Sequence, residues 1–316
     1  MFEPNTSEKS PESLSPPRQA VPPTRARGAA TVEPMPDRPA LTHPQPGRMG
    51  RDVGGEGRND LREVAPNAQG GADMAAVRDR LAALVERHGV PADQAPRDAL
   101  TEIPASAVST WGFDWPRAQR ARPSAVLILF GSLDDVPAHH ADDRVHPDVD
   151  VLLTQRAATM RTHAGQIAFP GGRVDPEDAD VVATALREAE EETGLDPDGV
   201  EVLGVLPPVP VVVSGHVVHP VIGWWRDPSR VAVVDQAEAA AVFRMPVGDL
   251  VDPANRCRVA RPGGRRGETP GFLVGERLVW GFTAALLDRI LTLLDWDTPW
   301  DSGRVIDAHT HAPLRG

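Results

Sequence analysis

FPGGRVDPEDADVVATALREAEEETGL, residues 169–195, joins a Phe-Pro-Gly-Gly turn to a helix whose far end is crowded with acid. At about 100° per residue, Val182, Ala185, Leu186 and Ala189 share one face, the expected core face. Glu188, Glu191 and Glu192 fall on an adjacent arc bordered by Arg187, because i, i+3 and i+4 are surface neighbours. Gly194 stands where a left-handed C-cap would end the helix. An exposed like-charge pair costs only about 0.2–0.5 kcal/mol, so a solvated face is one reading of the crowding. The other is a site for Mg²⁺ or Mn²⁺, hard cations that take a few carboxylates plus water and phosphate oxygens. Gly171 and Gly172 would let backbone approach such a site closely.

Outward from this stretch, AVLILF (125–130), DVDVLLTQ (148–155) and IAF (167–169) read as strands before the helix. VEVLGVL (200–206), VVHPVIGWW (217–225) and AAVFRMPV (240–247) read as strands after it. MAAVRDRLAALVERHG, starting at Met74, places Val77, Leu81, Leu84 and Val85 at helical spacing, and Gly89 marks its stop. A polar connector with Pro and Trp follows. ARPGGRRGETPG (260–271) reads as a basic loop, and LVWGFTAALLDRILTLL (278–294) as a helix apolar nearly all round. Strands and helices interleaved in this way predict an α/β or α+β layered domain.

Residues 1–72 are rich in Pro, Gly, Ser and Arg without apolar periodicity, and are expected to form a disordered tail. The expected organisation is therefore tail 1–72, domain 73–300 and C-terminal tail 301–316. The net charge of -12 argues against a general nucleic-acid or bilayer binder. No apolar run reaches the ~18–20 residues a membrane helix needs. Cys257 is the only cysteine, which excludes an internal disulfide and a cysteine-built metal centre and agrees with a reducing cytoplasm. VIDAHTH (305–311) looks like an Asp-x-His-x-His metal pair but lies five residues from the end, and is set aside as tail. His216 and His219, flanking an apolar run, are expected to be structural or loop residues, and His139 and His140 to sit in an acidic loop.

Gly171, Gly172 and REAEEETGL (187–195) resemble the Nudix box: Gly, five residues, Glu, seven residues, then Arg-Glu-apolar-x-Glu-Glu-x-Gly-apolar. The spacing from Gly172 to Arg187 is one residue longer than that pattern. Strict counting back from Arg187 lands on Ala179, leaving Glu177 or Asp178 for the first acidic role. LLTQRAATMRTHAGQIAFPGG (152–172) resembles the segment before the box in coenzyme A pyrophosphatases, at Leu152, Leu153, Thr154, Arg156, Arg161, Gly165, Phe169 and Pro170 as well as the two glycines.

The resemblance implies a Nudix-type α/β/α sandwich with a mixed sheet. It further implies hydrolysis of a pyrophosphate by cation-activated water, giving 4′-phosphopantetheine and adenosine 3′,5′-bisphosphate from coenzyme A. Glu188, Glu191 and Glu192 are then the metal ligands, Arg187 orients a glutamate, and Glu192 and Glu238 are the candidates for the base. Arg156, Arg161 and His163, with Gly171 and Gly172, are the expected contacts to the substrate. Arg suits phosphate because its planar fork bonds two oxygens at once. The expected partner is a small anionic molecule, with a homodimer carried as an open expectation. Two alternatives stand beside this: a Nudix enzyme for ADP-ribose or another nucleoside diphosphate derivative, and a Nudix-like ligand sensor without catalysis.

Overall fold

The computed structural model describes residues 73–96, 105–111, 122–132, 138–160, 163–211, 215–260 and 268–315. The expected N-terminal tail lies outside these residues.

The chain enters through α1 (Met74–His88), which buries Val77, Leu81, Leu84 and Val85, the four residues its periodicity singled out. Gly89 ends it for a different reason than a left-handed cap. Its backbone is extended, and a side chain there would strike the Val205 carbonyl. Within the expected connector a short helix forms, α2 (Ala105–Trp111).

The main sheet follows: β1 (Arg122–Gly131), β2 (Asp150–Arg156), β3 (Ile167–Ala168) and β4 (Gly171–Arg173). After α3 (Val181–Thr193) come β5 (Val200–Val205), β6 (Val209–Val211), β7 (His216–Trp225) and β8 (Ala239–Pro246). Strand β1 runs parallel to β7 and antiparallel to β2 and β4, so the sheet is mixed.

Side chains of β1 alternate between two cores, as the pleat requires. Ala125, Leu127 and Leu129 pack with Val181, Ala185 and Ala189 of α3. Ile128 and Phe130 pack on the opposite side with Leu81 and Leu84 of α1. That second core also takes Leu287 and Ile290 of α5 (Gly281–Leu293). Each fully buried aliphatic or aromatic side chain contributes about 1.5–3 kcal/mol. The result is the expected α/β/α sandwich, with a two-faced β1 as its middle layer.

On α3 the core face is turned slightly from the expected one. Val181, Thr184, Ala185, Ala189 and Thr193 are buried, while Val182 and Leu186 are half-buried at its margin. The helix starts at Asp180, whose carboxylate accepts the N–H groups of Val182 and Ala183, each at 2.9 Å. Such a cap contributes about 1 kcal/mol. It ends at Gly194 in the left-handed conformation (φ 69°), as its position in the sequence predicts.

Beyond β8 and the short α4 (Val247–Val251), the chain builds a second sheet. Its strands are β9 (Arg256–Ala260), β10 (Thr269–Val274), β11 (Arg277–Trp280), β12 (Val305–Asp307) and β13 (Pro313–Arg315), in the order β11-β10-β9-β12-β13. Three sequence expectations change here. The ends of the expected basic loop belong to β9 and β10, and residues 261–267 lie outside the described residues. The helix expected from residue 278 starts at Gly281, because Leu278–Trp280 pair with β10. It is also one-sided, burying Thr283, Ala284, Leu286, Leu287, Ile290 and Leu291. The expected C-terminal tail returns to the sheet, where β12 pairs in parallel with β9. Buried Arg256 locks this sheet to α5 by pairing with Asp288, with its guanidinium 4.6 Å from the Phe272 ring and 5.0 Å from the Trp300 ring. Among the described residues no helix is long and apolar enough to cross a membrane.

Candidate active site

Along one edge β1 changes partner. Strand β2 pairs with it only at Phe130 and Gly131, and β4 pairs with it at Ser124–Val126. Between them the Leu127 N–H donates to the Pro170 carbonyl at 2.9 Å, so the Phe-Pro-Gly-Gly turn fills the split. Gly171 has φ 156°, and a side chain on it would collide with the Ala125 carbonyl and Val126. Gly172 is needed for another reason. A methyl group there would occupy the space of the Glu188 carboxylate.

Helix α3 delivers the acids to this turn. Glu188 has 19% of its side chain exposed and Glu191 has 60%, so they differ in environment despite sharing an arc. Glu192 is half-buried, and its Oε2 accepts the Gly171 N–H at 3.3 Å. Burial pushes the Glu192 carboxyl up to about 7, with Glu188 and Glu238 adding to the shift and the Gly171 N–H and Arg156 opposing it. Burial also raises Glu188, against the pull of Arg187.

Arg187 organises the arc. Its Nε and Nη2 donate to the two Asp178 oxygens at 2.9 and 3.0 Å. Its Nη1 reaches Glu188 at 3.0 Å and Glu191 at 3.3 Å, and Nη2 also donates to the Arg173 carbonyl. The hydrogen bonds from Arg187 hold the Asp178 carboxyl down to about 2. Of the two residues the sequence left open for the first acid, Asp178 is therefore the one bound to Arg187. Glu177 is exposed, and its backbone N–H donates to Asp175.

On the other side of Glu192 stand Arg156, at the end of β2, and Glu238, just before β8. The Ala157 N–H donates to the Glu238 carbonyl at 2.9 Å, which ties the two segments together. The Arg156 Nε is buried with no hydrogen-bond partner among the described residues. A buried, unmade donor of this kind costs about 1–3 kcal/mol, so an anion reaching it would be favoured. His163, in the left-handed region at φ 59°, has Nδ1 2.8 Å from the Gln166 Oε1. It lines a cavity of about 840 Å³ shared with Gln155, Trp280, His309 and His311. Arg161 lies outside the described residues. Arg173 and His216 carry no motif that singles them out in the sequence.

Among the described residues no three His, Cys, Asp or Glu side chains close around one point. Mg²⁺ completes a small set of carboxylates with water and substrate oxygens. Glu188 and Glu192 fit this open arrangement, since both are raised carboxylates that a cation would stabilise in charged form.

Residues 141–261 match the NUDIX domain. A curated relative from Cronobacter sakazakii, named as an uncharacterized Nudix hydrolase, NudL, is 52% identical over 105 residues. That alignment spans 33% of this chain and 54% of the relative, about half its length. The NudL of Shigella flexneri is 42% identical over 176 residues, which is 53% of this chain and 90% of that protein. A solved Nudix hydrolase from M. smegmatis, RenU, aligns over 55% of this chain and 86% of its own at 18% identity and a TM-score of 0.34, too slight a likeness to bear on the substrate. With a relative matched over nearly its whole length and a glutamate-bearing helix set under a Gly-Gly turn, this chain belongs to the Nudix hydrolase family and is a pyrophosphohydrolase.

Proposed function

We propose that the enzyme hydrolyses the pyrophosphate of coenzyme A or its acyl derivatives, giving 4′-phosphopantetheine or its acyl form and adenosine 3′,5′-bisphosphate. One observation carries the choice of substrate. The segment resembling the coenzyme A branch ends its strand with Arg156, whose buried Nε has no partner among the described residues and whose charge acts on Glu192. A phosphate donor is thus built beside the acidic arc by that branch's own motif.

Each side chain then has a task. Arg156 binds a pyrophosphate oxygen, and Arg161 and His163 are proposed to extend that contact along the loop. Arg187, braced by Asp178, holds Glu188 and Glu191 in place. The Glu192 Oε2 is engaged by Gly171, leaving Oε1 to accept a proton from the attacking water. Glu238 is the second candidate for the base. Glu188, Glu191 and Glu192 would hold Mg²⁺ or Mn²⁺, which when bound would supply charge neutralisation and a lowered water pKa. Buried Cys257 fits a reducing cytoplasm as the working compartment. The hydrolase domain is proposed to run from residue 73 through β13, because β12 and β13 complete the second sheet.

The test is a panel of coenzyme A, acetyl-coenzyme A, ADP-ribose and NADH with Mg²⁺ or Mn²⁺, with products identified by mass. Turnover of coenzyme A to the two named products supports the proposal. Robust turnover of ADP-ribose with none of any coenzyme A species would remove it. Light scattering on the same sample reads the homodimer expectation.

A further inference from the structure

A second set of donors stands on the face of the main sheet opposite α3. Arg122 of β1 is the register partner of His216 in β7, and Ser124 of β1 is the register partner of Arg173 in β4. Register partners point to the same face, as do residues two apart along a strand. Arg122, Ser124, Arg173 and His216 therefore share one face at the start of β1. The buried Ser124 Oγ lies 2.6 Å from the His216 Nδ1, which fixes the imidazole among the three. Arg122 and Arg173 are exposed, and among the described residues neither guanidinium joins an ion pair. Burial lowers the His216 pKa, and Arg173, Arg122 and His163 push it the same way, so the local field is positive in a chain of net charge -12.

We propose that Arg122, Arg173 and His216 seat a phosphate monoester of the substrate, distinct from the pyrophosphate that is cleaved. Three features support it. Arg173 directly follows the Gly171–Gly172 turn, and its carbonyl accepts from the same Arg187 that holds Glu188, so the backbone carrying Arg173 is tied to the residue that organises the acidic arc. Two guanidinium forks offer paired donors that match phosphate oxygens. With Ser124 donating to Nδ1, the neutral His216 ring carries its proton on Nε2 and adds a donor without adding charge. A solvated surface would leave these cations scattered, whereas register brings them to one spot on that face. The inference rests on the coenzyme A reading, in which the ribose 3′-phosphate is the group to be seated.

Calorimetric titration of the full chain with adenosine 3′,5′-bisphosphate and with adenosine 5′-monophosphate tests it. Two charge-assisted contacts predict about a tenfold or larger preference of the wild type for the bisphosphate. The Arg122→Ala, Arg173→Ala double variant should lose that preference, and since both side chains are exposed its thermal melt should confirm the fold. In parallel, the ratio of kcat/KM for coenzyme A over dephospho-coenzyme A should collapse in the variant. A wild type that binds both nucleotides alike, or a variant that keeps the preference, overturns the proposal. Turnover of coenzyme A without a bisphosphate preference removes this seat and leaves the substrate reading. A preference abolished by the double variant, without turnover of coenzyme A, does the reverse.

Discussion

The Gly171 N–H points at the Glu192 carboxylate and donates to its Oε2 at 3.3 Å, joining the turn before α3 to the last turn of the helix itself. This single contact fixes where the acid sits and partly offsets the burial that raises it.

The raised carboxyl has a stability consequence. Glu192 is protonated in both folded and unfolded chains below its ordinary value of 4.5, and only the folded form holds its proton up to about 7. The native state is thus penalised progressively as pH rises between these values, and the penalty is complete above about 7. In metal-free buffer, Glu192→Gln should melt at a higher temperature than wild type at pH 8 and at the same temperature at pH 4. Added Mg²⁺ should raise the melting temperature of wild type more than that of the variant, because binding favours the native state by mass action. Equal melting temperatures at pH 8 would mean that Glu192 is not buried as described.

The two adjacent glycines should fail differently. Gly171→Ala forces a side chain into the Ala125 carbonyl and Val126 at a positive φ, so it should lower the melting temperature sharply. Gly172→Ala meets the Glu188 carboxylate first, the end of a side chain that can swing away, so the fold should survive and activity should fall. Circular dichroism melts and turnover measured on both variants separate the two effects.

Asp178 is the brace of Arg187, so Asp178→Asn should destabilise by about 1.5–3 kcal/mol, the range for a hydrogen bond to a charged group. Its low pKa contributes stability present above about 3.8 and lost as pH falls toward about 2, so the difference from the variant should shrink in acid. Glu177→Gln, on an exposed side chain, should change neither stability nor rate. Denaturant titrations at pH 7 and pH 3 check both statements.

Arg156→Ala should raise KM for a pyrophosphate substrate and also remove the opposing charge beside Glu192. The pKa read from the pH dependence of kcat/KM should then rise above that of wild type. Arg156→Lys restores the charge but not the fork, so it should recover the pH profile more fully than KM. A variant profile identical to wild type would separate Arg156 from Glu192.

Much of this was legible in the sequence because the decisive features are local. The 3.6-residue spacing of α1 and α3, the Gly194 cap and the glutamate arc are set within a few residues of one another. What escaped the sequence depends on distant pairing. Leu278–Trp280 look helical until β10 offers them a ladder, and VIDAHTH looks like tail until β9 accepts β12 in parallel. Counting back from Arg187 missed Asp178, because the turn from Asp175 to Asp178 sets which acid faces Arg187. Arg173 and Arg122 lie 51 residues apart and become neighbours only through the split edge of β1.

The most direct measurement is kcat/KM for coenzyme A with Mg²⁺, taken side by side on wild type and Glu192→Gln. The expected result is turnover by wild type and a loss of about 10²-fold or more in the variant, the range for removing a positioned acid–base group. Equal rates in the two proteins would contradict the site, and no turnover of coenzyme A by wild type would contradict the substrate.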